Sequence, residues 1–128
     1  MPALIEALKE SAREVAASAL DQIGAPSVPA LIEALRDENR DIHEVVARAL
    51  GEIGDASAVP ALLETVQNKQ KSVRQAVPVA LGEIGDPAAV PALLELLQDN
   101  VLSVRRRAAV ALRRISVADT LRRNPLAD

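Results

Sequence analysis

The residues best suited to chemistry in this chain are arginines gathered near its C-terminal end. Seven fall between positions 105 and 123: Arg105, Arg106, Arg107, Arg113, Arg114, Arg122 and Arg123. A guanidinium group binds carboxylates and phosphates in a two-pronged geometry, so this basic patch predicts contact with an acidic protein surface or with phosphates. A solvated face that caps the end of the fold is the alternative.

The charge distribution and the lack of aromatic residues argue against nucleic acid as the partner of the basic patch. Residues 1–104 carry a net charge of −8 and residues 105–128 a net charge of +5, so most of the molecule repels phosphate. The chain contains no Phe, Trp or Tyr on which bases would stack.

No group of residues in the sequence indicates catalysis. The single histidine, His43, stands where Arg74 and Arg105 stand in related segments, which predicts an exposed, solvated side chain. A metal or general-base role would need further ligands or a nucleophile nearby. Registered glutamates such as Glu52 and Glu83 predict solvated rows rather than a catalytic pair. We therefore expect no enzyme activity, no cofactor and no metal site.

A repeated pentapeptide explains the organisation of the chain. GEIGD occurs at Gly51–Asp55 and again at Gly82–Asp86. The match extends in both directions and defines four units, 2–28, 29–59, 60–90 and 91–116, with 117–128 as a C-terminal cap or tail. A period of this length is typical of a solenoid built from stacked repeats.

Each unit predicts two helices. Apolar residues recur at spacings of three, four and seven, the pattern of one buried helical face, and no segment alternates with a period of two. The fold class is therefore all-α. Gly54 and Gly85 are expected to end helices in the left-handed conformation, and Asp55 and Asp86 to cap the next helix in each case.

Five further positions inside the second helices carry specific expectations. Gly51 and Gly82 lie inside second helices, which predicts a neighbouring helix too close for a side chain. Asp21 and Arg113 replace them in the outer units, as expected if a terminal unit has one neighbour fewer. Pro78 lies mid-helix and should remove the hydrogen bond to the Arg74 carbonyl and kink that helix.

These residues together resemble a known family. The pattern V-R-x-A-x-x-x-A-L-G-x-I-G-D-x-x-A-V-P-A-L-x-x-x-L, read from Val73 through Ala76 to Leu97, resembles the HEAT-like repeats of the phycobilisome-lyase type and the designed helical-repeat binders built from that consensus. The resemblance implies a right-handed α-solenoid whose second helices line a concave face. Members include bilin lyase subunits and regulatory scaffolds, so the family does not determine a function.

We therefore expect a scaffold that binds a protein partner through the concave face. The predicted partner-binding residues are His43, Glu44, Ala47, Arg48, Arg74, Gln75, Pro78, Val79, Arg105, Arg106, Ala109, Val110 and Arg113. Self-assembly into a homo-oligomer, a bilin-lyase-like accessory role, and phosphate or nucleic-acid binding through the basic patch remain alternatives. Without cysteine, a run of 18 apolar residues or a signal-like N-terminus, the chain is expected in the cytoplasm and off the membrane.

Overall fold

The protein is an all-α solenoid, as the sequence predicts. The computed structural model describes residues 3–5, 13–36, 42–66 and 70–123, with side chains for all of these except 13–16, 120, 122 and 123. Residues 3–5 are helical, and no strand occurs within the described ranges. The remaining helices are α1 (Arg13–Ile23), α2 (Val28–Leu35), α3 (His43–Ile53), α4 (Val59–Glu64), α5 (Lys71–Ile84), α6 (Val90–Leu96) and α7 (Leu102–Arg123).

The second helices of successive units stack directly on one another. α1 contacts α3, α3 contacts α5, and α5 contacts α7, while α2, α4 and α6 each pack on the second helix of their own unit. The core is built from residues that recur at the same place in each unit. Leu20, Leu50 and Leu81 are equivalent residues of the second helices, and Leu62 and Leu93 are equivalent residues of the first helices; all five are fully buried. Burying each such leucine contributes about 1.5–3 kcal/mol. We call the layer of α1, α3, α5 and α7 the second-helix layer.

The predicted helix ends are confirmed. Gly54 and Gly85 have φ of 79° and 78°, in the left-handed region, and their N–H groups donate to the carbonyls of Leu50 and Leu81. No side chain with a Cβ adopts this conformation without strain. Each glycine therefore ends its helix and turns the chain toward the next unit.

The aspartates after these glycines act as caps, with one difference from the expectation. Asp55 Oδ1 accepts from the N–H of Ser57 and Asp86 Oδ1 accepts from the N–H of Ala88, each at 2.9 Å. The segments they cap are short 3₁₀ turns, Ala56–Ala58 and Pro87–Ala89, which lead into α4 and α6. A 3₁₀ turn at a helix start is common because it tightens the entry of the chain.

The helix-interior glycines lie at close helix contacts, as predicted. A Cβ added to Gly51 would lie 2.6 Å from the Cα of Ala80, and one added to Gly82 would lie 3.0 Å from the Cα of Ala111. The explanation offered for the outer units holds for Arg113, because no helix comes after α7 in the described part of the chain. It is wrong for Asp21, which does have a neighbouring helix and faces Ala49 across a gap.

The last two second helices are continuous. α5 runs from Lys71 to Ile84 with Pro78 inside it. α7 extends through Val117 to Arg123, so those residues prolong the last helix. Residues 124–128 and the first inter-helix connection lie outside the described residues, and the unit boundaries stay predictions. No helix within the described ranges is long and apolar enough to cross a membrane.

Candidate functional site

The predicted partner-binding residues all lie on α3, α5 and α7, but three of them are buried. His43 is 6% exposed, Ala47 is fully buried, and Pro78 is buried as well. The expectation that these three side chains face solvent is wrong. His43 and Ala47 therefore offer little surface to a partner, and Pro78 is reached only through a groove described below.

Two packing reasons explain this burial. The first turn of a second helix lies against the next unit: Arg74 Nε donates to Asp99 Oδ2 at 2.8 Å, and Arg74 and Asp99 are only 15% and 9% exposed. His43 occupies the same repeat position as Arg74, so we expect the next unit to cover it in the same way. Ala47 and Pro78 face the next second helix, as the place of Pro78 in the gap between α5 and α7 shows.

The other predicted residues become more exposed toward the C-terminal end. Ala109 is exposed although its equivalents Ala47 and Pro78 are buried, because no helix comes after α7 in the described chain to cover it. The half-buried members are Glu44, Arg48, Arg74, Gln75, Val79 and Arg105, and the exposed ones are Arg106, Ala109, Val110 and Arg113. The predicted partner-binding residues that are exposed to solvent therefore all lie on α7.

The interaction between α5 and α7 leaves an open groove of about 180 Å³. Its lining is mainly apolar, with arginines on one side. The floor is the close contact of Gly82 with Ala111. We call it the basic groove, and it is lined by Pro78, Val79, Gly82, Arg106, Arg107, Val110, Ala111 and Arg114.

A second groove of about 160 Å³ lies between α1 and α3 and has the opposite character. Its lining is mainly polar, and we call it the acidic groove. The residues that line it are Ala17, Ser18, Asp21, Arg48, Ala49 and Glu52. Asp21 stands where Gly51 and Gly82 stand in the next two units, so the helices here are not held in a glycine–alanine contact.

The acidic groove holds two carboxyl groups close enough to share a proton. A hydrogen bond with Asp21 is the main cause that raises the pKa of Glu52 to about 7, burial adds to it, and the charges of Asp21 and Glu83 act in the same direction. Arg48 lowers the pKa but does not compensate. Near neutral pH the pair therefore carries less negative charge than two independent carboxylates.

The arginines of the basic patch differ in whether they bond to a backbone carbonyl. Arg105 Nη1 donates to the backbone carbonyl of Asp99 at 2.6 Å, and Arg107 Nη1 donates to the carbonyl of Gln75 at 3.2 Å. Arg106, Arg113 and Arg114 are exposed and make no ion pair with other described residues. The side chains of Arg122 and Arg123 lie outside the described residues.

Asp99 is the polar centre of the last inter-helix turn. Its Oδ1 accepts from the N–H of Val101, its Oδ2 from Arg74 and its backbone carbonyl from Arg105. The side-chain amide of Gln75 donates to Ser103 Oγ between the same two units. The bonds of Arg74 and Gln75 connect two units, and the bond of Arg105 lies within the last unit, so all three residues already have structural partners.

Among the described residues, no group of three His, Cys, Asp or Glu side chains lies close enough to hold a metal ion. The expected absence of a cofactor stays a prediction. Sequence reasoning identified the arginines but missed the pairing of Asp21 with Glu52, although the substitution of Asp21 for a repeat glycine was a visible signal.

Comparison with known protein families agrees with the helical-repeat fold described above. A family model described as HEAT repeats matches residues 1–77 and, in an overlapping placement, residues 28–113. The two matches together span most of the chain. No curated protein matches the chain significantly.

Proposed function

Because this chain belongs to the HEAT-repeat family, we propose that it is a non-catalytic module that binds a protein partner on its second-helix layer. HEAT repeats generally mediate protein–protein contacts as scaffolds. The finer assignment, to the phycobilisome-lyase type of repeat with the second helices on the concave side, is part of this proposal.

One observation carries the proposal: the basic groove is an open, mainly apolar recess on the second-helix layer. Val110 is 50% exposed, and Val79 beside it is partly exposed. Apolar side chains at the centre of a recess, with charged groups at the edge, are the composition of protein-binding surfaces. Arginine is also enriched among the residues that dominate binding energy at interfaces.

The proposal is tested by selecting binders from a peptide-display library on the immobilised protein. Val110→Glu places a charge in the basic groove and should abolish binding of the selected peptides. Leu94→Glu is a matched control, since Leu94 is 52% exposed but lies on the first helix α6. If the library yields no binder, or if Leu94→Glu weakens binding as much as Val110→Glu, the second-helix layer is not the binding surface.

A bilin-lyase-like accessory role makes a separate prediction. A chain that handles bilin should perturb the absorption spectrum of an added bilin. We expect the spectrum to stay unchanged, because no residue of the basic groove is a cysteine and none is aromatic.

A further inference from the structure

The basic groove and the acidic groove are the same structural position, built two units apart with opposite chemistry. Each lies between consecutive second helices, and their lining residues correspond along the repeat. Ser18 corresponds to Val79, Asp21 to Gly82, Arg48 to Val110 and Glu52 to Arg114. The second-helix layer is therefore acidic and polar at one end and apolar with arginines at the other.

The arginines of the basic groove are arranged around an apolar residue. Arg106, Val110 and Arg114 lie at spacings of four residues on α7, so they form a row on one side of that helix. Arg106 and Arg114 are about 12 Å apart along the axis, with Val110 midway. Neither arginine has an ion-pair partner among the described residues, and Arg107 beside them is held by the carbonyl of Gln75.

We propose that the basic groove docks a helical segment of a partner protein that presents acid, apolar and acid side chains at positions i, i+4 and i+8. This inference rests on the proposed function and names the occupant of its site. The two carboxylates match Arg106 and Arg114, and the apolar residue covers Val110 and Val79. An amphipathic helix lying between two helices of a receptor is an established mode of recognition.

The acidic groove differs from the basic groove in a way that favours one position for the partner segment. Where the basic groove has Gly82 and Arg114, the acidic groove has Asp21 and Glu52. Arg48 also lines the acidic groove, so an acidic segment gains little there, whereas it is attracted at the other end, two helix layers or about 20 Å away. A difference in affinity between two positions is the basis of specificity.

Charge and shape favour a protein segment over the other candidates. The floor of the groove is apolar, and the chain contains no Phe, Trp or Tyr to stack on bases, so nucleic acid would leave Val79 and Val110 uncovered. A second copy of the chain would bring its polar acidic groove against this apolar floor. A segment with its own apolar residue satisfies both the floor and the arginines.

The test uses three fluorescently labelled, alanine-based peptides, each long enough to form a helix in isolation. One carries Glu, Leu and Glu at i, i+4 and i+8, the second carries Lys in place of Glu, and the third carries Ala in place of Leu. Fluorescence anisotropy at about 0.15 M salt, where the Debye length is about 8 Å, measures the affinity of each peptide for the full chain. We expect the Glu-Leu-Glu peptide to bind about tenfold or more tightly than either of the others.

Two adjacent arginines provide matched variants. Arg114→Glu should lower the affinity for the Glu-Leu-Glu peptide by about fivefold to tenfold, and combining it with Arg106→Glu should reverse the preference toward the Lys peptide. Arg113→Glu makes the same change of charge on the same helix but outside the groove, and should alter affinity by less than about threefold, since salt screens the longer distance. Arg106 and Arg114 are both exposed, so the variants should fold.

The remaining outcomes overturn the inference. Equal losses for Arg113→Glu and Arg114→Glu would mean that net charge, not the groove, attracts the peptide. Tighter binding of a thymidine oligonucleotide than of the peptide would assign the arginines to phosphate. A dimer in light scattering that Arg114→Glu dissociates would assign the groove to a second copy. If the library binders are blocked by Val110→Glu but the Glu-Leu-Glu peptide does not bind, the function stands and this inference fails.

Discussion

Gly51→Ala should destabilise the protein, whereas Gly82→Ala should be nearly neutral, although both replace a repeat glycine inside a second helix. The structure distinguishes the two sites by the space that each leaves. A Cβ on Gly51 would lie 2.6 Å from Ala80 Cα and 2.8 Å from Ala80 Cβ. A Cβ on Gly82 would lie 3.0 Å and 3.1 Å from the same atoms of Ala111.

The size of the effect depends on two opposing contributions. Replacing glycine by alanine inside a helix stabilises it by about 1 kcal/mol. Overpacking a close helix contact costs about 1–3 kcal/mol, and at Gly51 the obstructing atom is backbone, so α3 and α5 must separate. The expected net loss is about 1 kcal/mol for Gly51→Ala, against a change of less than about 1 kcal/mol for Gly82→Ala, where a shift of a few tenths of an ångström suffices.

Urea unfolding followed by far-ultraviolet circular dichroism measures this difference, because the chain has no tryptophan or tyrosine for fluorescence. The helix-propensity gain is common to both variants, so the difference between their free energies of unfolding reports the packing alone. We expect Gly51→Ala to be the less stable variant by about 1–2 kcal/mol. If both variants are more stable than the wild type by about 1 kcal/mol, the glycines are not needed for the helix contacts and the reasoning is refuted.

Three further predictions concern the core, the last turn and the acidic groove. Leu81→Ala should lower the free energy of unfolding by about 2–5 kcal/mol, because Leu81 is fully buried; a harmless Leu81→Ala in urea titration would contradict the repeat register. Asp99→Ala should cost about 2 kcal/mol in the same assay, because it removes the acceptor of the Arg74 guanidinium. Glu52 has a folded-state pKa of about 7, above its ordinary value of 4.5, so its contribution to stability is present below pH 4.5 and lost as the pH rises through 7. The melting temperature should therefore fall between pH 5 and pH 8, and Glu52→Gln should reduce that fall; an unchanged fall in the variant would exclude Glu52 as its source.

Much of the fold depends on local rules that the sequence displays directly. The sequence shows a repeat period, an apolar spacing typical of helices, and a Gly-Asp pair between units. The apolar spacing and the Gly-Asp pair depend on interactions within one helix or one turn. The left-handed φ of Gly54 and Gly85 and the caps of Asp55 and Asp86 are local in the same sense, and all were predicted. The close contact at Gly51 was also predictable, since only a neighbouring backbone requires a missing side chain at a helix interior.

Exposure was harder to predict because it depends on which helix lies opposite. His43 was expected to be exposed but is only 6% exposed. Ala47, Pro78 and Ala109 share one repeat position and were all expected to be exposed, yet only Ala109 is. His43 stands where Arg74 lies against the next unit, whereas Ala109 is open because no further helix comes after α7 in the described chain. A pattern within one unit carries no information about such neighbours.

The sequence alone therefore determines the architecture, namely the helix pairs, where the helices end, how the pairs repeat, and that the C-terminal end is basic. Only the tertiary structure decides how the arginines are used, since it ties Arg105 and Arg107 to backbone carbonyls and leaves Arg106 and Arg114 beside Val110. It also brings Asp21 to Glu52, residues on different units, and creates two grooves of opposite charge at equivalent positions. The physical reason is range: turns and helices are set by interactions over a few residues, whereas a groove is set by helices that are distant in the chain and adjacent in space.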